Sequence, residues 1–146
     1  MSIPVAIATA MRSGLNTALD GVIDDRWTLL ADGINTQQRE EGDRYTLPLV
    51  RILISECAPN GYRSALRQYP MTIVVETHDA PNADPHQADL FALANAVSVW
   101  LCTPPSLTVS GATIDSVYFD TPPERTNDGP IQSMRWVGTV HAHVSS

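Results

Sequence analysis

Two histidines separated by one residue, His141 and His143 in VGTVHAHVSS, are the first side chains in this sequence with both the type and the spacing for chemistry. On an extended strand, residues i and i+2 project from the same face, so the two imidazoles stand side by side as a pair of metal ligands must. A closed metal site needs further ligands. His78 and Glu76, in the apolar run MTIVVETHD, are the nearest candidates by type. Against this stands the plainer expectation of two polar residues alternating on the wet face of an amphipathic strand. The sequence favours that plainer reading, with no cofactor expected.

Other chemistry is thinner. Ser13-Gly14 and Ser110-Gly111 lack the GxSxG frame that exposes a nucleophilic serine on a strained elbow. Asp24-Asp25 and Glu40-Glu41 are adjacent acids in polar stretches, without the apolar surroundings that tune a carboxyl pair for proton transfer. No glycine-rich loop follows a strand-like run to cradle phosphate. Cys57 and Cys102 lie far apart without a CxxC, which argues for two buried thiols and against a disulfide framework. The expectation is a protein that is not an enzyme.

The elements that must position these residues are clearer. Ile3, Ile7, Met11, Leu15, Leu19 and Val22 recur at helical spacing, with Ser2 able to cap the helix and Pro4 in its first turn. This amphipathic helix is expected to end near Gly21. DDRWTLLADGINTQQREEGDRY follows without a sustained period and reads as a long loop from Asp24 to Tyr45. TLPLVRILISE and MTIVVETHD read as strands that pair antiparallel, while SALRQY between them suits a short helical turn.

Asp84, Pro85 and Gln87 mark a well-capped helix start. Leu90, Leu93, Ala94, Val97, Trp100 and Leu101 then form one stripe, closed by Pro104-Pro105. LTVSGATIDSVYFD predicts a hairpin turning at Ser110-Gly111, and the proline-bearing TPPERTNDGPIQ reads with Asp120 before it as a second long loop, Asp120 to Gln132. The last strand places Met134, Trp136, Gly138, Val140, Ala142 and Val144 on one face and Arg135, Val137, Thr139, His141 and His143 on the other. The order helix, strand, strand, helix, strand, strand predicts an α+β fold: a mainly antiparallel sheet of four to five strands with two helices on one face.

Composition narrows the function classes. The 146 residues suit a single α+β domain over 1–146. No apolar run approaches the ~20 residues that span a bilayer, and the opening lacks the basic start of a secretory signal, so a cytoplasmic product is expected. A net charge of −7 argues against gripping nucleic acid. All nine basic residues are arginine, a side chain favoured at interfaces, although a GC-rich, alanine-rich coding bias explains the same count. Trp100 and Trp136 fall on inward stripes. Trp27 suits either an interface anchor or a flap over the chain's own core.

The layout resembles the tail terminator, or tail-to-head joining, proteins of long-tailed bacteriophages. The resemblance lies in the N-terminal helix, the polar segment after it, LPLVRILISE with MTIVVETHD, the capped helix PHQADLFALANAVSVWL, and TIDSVYFD before RWVGTVHAHV. Neighbouring neck and minor tail proteins share this level of likeness. The resemblance implies a homohexameric ring in the virion, assembled in the host cytoplasm. It would cap the tail tube, stop its polymerisation and meet the head connector, with DNA passing through but not bound specifically. Its expected contacts to neighbouring subunits or the tube fall in the two long loops: Trp27, Arg39, Glu40, Glu41, Asp43 and Arg44 in the first, Arg125 and Asp128 in the second. A small metal-binding or metal-dependent enzyme domain built on His141 and His143 is the alternative, and an unrelated dimeric α+β binding module a third.

Overall fold

The computed structural model describes residues 3–25, 27–33, 48–56, 66–78, 84–102, 108–109, 111–119, 123–128 and 131–144. Its first element, helix α1 (Ile3–Ala18), buries Ile7, Met11 and Leu15, the stripe that the spacing predicts, with Leu19 just beyond it. Helix α2 (Asp84–Cys102) buries Leu90, Leu93, Ala94, Val97 and Leu101. Between and after them lie strands β1 (Thr28–Gly33), β2 (Leu49–Ile54), β3 (Leu66–His78), β4 (Thr108–Val109), β5 (Ala112–Phe119), β6 (Glu124–Asp128) and β7 (Ile131–Val144).

The strands form one sheet in the order β1-β2-β3-β7-β5-β4, with β6 also paired to β7. The α+β class stands, and β2 pairs antiparallel with β3 as expected. Among the described residues the sheet has seven strands rather than four or five, and β1 runs parallel to β2. Its centre is the long β3–β7 pair, in register from Leu66 opposite His143 to His78 opposite Ile131. β5 and β6 lie end to end along the other edge of β7, at residues 138–144 and 131–135.

Alternation decides which face is the core. Tyr69, Met71, Ile73 and Val75 of β3 and Trp136, Val140 and Ala142 of β7 are buried against the helices, while Arg135, Val137 and His143 on the opposite parity are exposed. Ile52, Ile73 and Trp136 make one cross-strand row through the core. At ~25 cal/mol per Å² of apolar surface buried, such rows are the principal stabilising term.

Three local expectations are corrected. The segment expected as a loop from Asp24 contains β1, whose TLLADG has no strong period; it is a strand because it docks beside β2. Residues 66–69, expected in a helical turn, begin β3 and continue through Pro70. Pro70 is tolerated there because its carbonyl accepts from Ser55 N, just past the end of β2, so its ring nitrogen faces a position where no ladder donor is required. The second expected loop contains β6, a run of charged and polar residues that becomes a strand by folding back on β7.

The expected hairpin pairing is present, with Val109 opposite Ala112 and Gly111 at φ 85°, while Ser110 lies outside the described residues. After α1 the chain makes a left-handed turn over Val22–Asp25 in which Ile23, Asp24 and Asp25 all have positive φ. Asp25 Oδ1 accepts from Gly21 N at 2.7 Å.

Candidate functional site

The histidine pair sits at the C-terminal end of β7, with β3 on one side and β5 on the other. His141 lies opposite Gln68 and Ser116, and His143 opposite Leu66 and Thr113, so the positions directly across are neutral. The remaining two candidates lie elsewhere. β3 is adjacent to β7, but Glu76 pairs with Ser133 and His78 with Ile131, at the far end. From Ile131 to His141 is ten positions, about 33 Å at a strand rise of about 3.3 Å per residue. The four expected ligands therefore form no common site. Among the described residues, no three His, Cys, Asp or Glu side chains come together as metal ligands. Cys102, expected as a buried thiol, is exposed at the end of α2; Cys57 lies outside the described residues.

Of the expected interface residues, Arg39, Glu40, Glu41, Asp43 and Arg44 lie outside the described residues. Trp27 stands just before β1 and packs against the core, partly exposed. Asp128 ends β6, opposite Ile131. Arg125, on β6, has the most defined surroundings: its guanidinium lies 5.4 Å from the centroid of the Phe91 ring on α2, and Nη2 donates to Gln132 Oε1 at 2.9 Å. This contact ties the β6–β7 hairpin to α2, since a cation over an aromatic face is attracted by the ring's quadrupole. Beside it, on the face away from the helices, Arg135 Nη2 stands 3.6 Å from Glu124 Oε2, and Thr126 and Ser133 share a 2.7 Å hydroxyl hydrogen bond.

One pair escaped the sequence reading. Arg51 and Glu76, both on the sheet face away from the helices, are each only 4% exposed. Arg51 pairs with Val74, so Glu76 occupies the diagonal position two residues along the neighbouring strand, within reach of a long side chain. Strand alternation marks both as outward. Their burial depends on what lies above them, which no local pattern encodes.

No protein-family model matches this chain, and no curated protein matches it. Among solved structures, it is similar to a chain from the virion of a native gene transfer agent particle, with a TM-score of 0.55 and 15% identity. The match covers 94% of this chain and 97% of that one, so the likeness is of the whole fold.

Proposed function

We propose that this chain is a structural virion protein rather than an enzyme, and more specifically a tail terminator. It forms a homohexameric ring that caps the tail tube, stops tube polymerisation and joins the tail to the head connector. The observation that carries this reading is the likeness in fold, over 94% of this chain, to a chain of a gene transfer agent virion. The segments on which the resemblance rests are the helices α1 and α2 and the strands β2, β3, β5 and β7, with β1, β4 and β6 added to them. A net charge of −7 also suits a ring around a DNA passage, because like charges keep the duplex from sticking. The protein's place is then the head-proximal end of the tail, after assembly in the host cytoplasm.

The experiment is the solution mass of the untagged protein by light scattering across concentration, with negative-stain imaging alone and after mixing with purified tail tubes. A hexamer-sized ring that sits on one tube end and blocks further tube growth supports the reading. A protein that neither forms rings nor binds tube ends overturns it.

A further inference from the structure

The exposed large apolar side chains among the described residues are four, and they fall on two opposite surfaces. Phe91 and Val99, 44% and 60% exposed, lie on α2 with Ala88, Asn95 and Cys102, also exposed. At 100° per residue these five positions form one narrow ridge, turned away from the buried stripe of Leu90, Leu93, Ala94, Val97 and Leu101. From Leu90 to Cys102 the helix carries no charged residue on any side. Such a helix is ordinarily covered all round. Leu66 and Val137, 59% and 38% exposed, lie on the opposite side of the molecule, on the sheet face away from the helices. There Leu53, Thr72, Val74 and Thr139 are half-buried around Val137.

We infer that these are the two halves of one contact: the α2 ridge of one copy lies on the outer sheet face of the next. Two observations select a second copy as the occupant. A molecule with net charge −7 repels its own kind, whereas α2 carries no charge of its own from Leu90 to Cys102 and the guanidinium over Phe91 is a cation, that of Arg125, so a like-charged copy can approach along the ridge. The two surfaces also differ in kind and lie on opposite sides, so a two-fold dimer joining like to like would leave one of them bare. A head-to-tail contact covers both in every subunit and closes into a ring when its rotation permits. The inference rests on the proposed ring and names the surfaces that build it.

The test uses Val99→Glu, which breaks the ridge, and Val137→Glu, which breaks the sheet face. Both positions are exposed, so each variant retains the wild-type circular dichroism and melting profile. Each alone is expected to associate about a hundredfold more weakly than wild type, because the contact would bury an unpaired carboxylate. Mixed one to one, they are expected to form heterodimers and nothing larger, since one intact ridge meets one intact face. Wild-type rings that survive both substitutions overturn the inference and leave the ring proposal standing. Open chains sensitive to both substitutions uphold the contact and overturn the ring. A dimer lost only in Val99→Glu, or a wild-type monomer at every concentration, overturns both.

Discussion

Gly14 of α1 and Trp100 of α2 are in contact so close that a Cβ at position 14 would lie 2.9 Å from Cζ2 of the indole. The glycine sits mid-helix, where alanine is ordinarily better by ~1 kcal/mol. Its presence reflects the space that Trp100 takes where the two helices meet. Gly14→Ala is expected to destabilise by about 1–2 kcal/mol net, because the overpacking exceeds the gain in helix propensity. In a Trp100→Leu background the same change is expected to stabilise. Denaturant unfolding of the four proteins of this cycle measures the coupling directly, and an additive result would show that the contact relaxes freely.

Tyr69 is fully buried on the inner face of β3, and its hydroxyl has no hydrogen-bond partner among the described residues. A stranded hydroxyl has lost its water without compensation, at a cost of about 1–3 kcal/mol. Tyr69→Phe is therefore expected to leave stability unchanged or raise it by about 1 kcal/mol, read from the urea midpoint at constant slope. A loss above 1 kcal/mol would mean that the hydroxyl is bonded in solution.

The elements most legible in the sequence are those whose order is local. α1 and α2 announce themselves by a 3.6-residue stripe, and β7 by an alternation that puts Trp136 inside and His141 on the other face. β1 and β6 were not legible because neither TLLADG nor ERTND carries an apolar alternation; each is a strand by virtue of its neighbour, which is tertiary information. The same limit governs the site. Strand alternation places His141 beside His143, but only the β3–β7 register shows that His78 and Glu76 are held at the far end.

The buried Arg51 and Glu76 lead to a third prediction. The diagonal placement of two opposite buried charges predicts that they are coupled: removing one then leaves the other in a site with little water, at a cost of about 3–5 kcal/mol, while replacing both by apolar residues of similar size costs far less. Glu76→Leu alone is expected to lower stability by about 3 kcal/mol, and Arg51→Met with Glu76→Leu to recover most of it. Equal losses in the single and double variants would indicate that the two side chains are stabilised by separate partners.

Asp24, exposed at φ 54°, lies in the left-handed turn after α1. L-residues pay about 1–2 kcal/mol for this conformation, and glycine adopts it freely. Asp24→Gly is expected to raise the melting temperature by a few degrees, a gain of about 1 kcal/mol in a chain of this size. Asp25→Ala is expected to lower it, since Asp25 accepts the hydrogen bond from Gly21 N. If glycine at 24 destabilises, the turn in solution is not left-handed.

The histidine pair gives the last prediction. A ligand at 100 times its dissociation constant stabilises a fold by about 2.7 kcal/mol, which in a domain of this size is several degrees of melting temperature. His141 and His143 face neutral cross-strand neighbours, and the other two expected ligands stand about 33 Å and 26 Å along the strand by the same rise per residue. Two imidazoles alone hold zinc weakly, because a closed site takes four ligands. Micromolar zinc, or chelator added to the purified protein, is therefore expected to leave the melting temperature within about one degree. The His141→Ala, His143→Ala double variant is expected to assemble as wild type does. A zinc-dependent rise of several degrees that disappears in the double variant would return the metal reading to first place, with its further ligands drawn from a second copy.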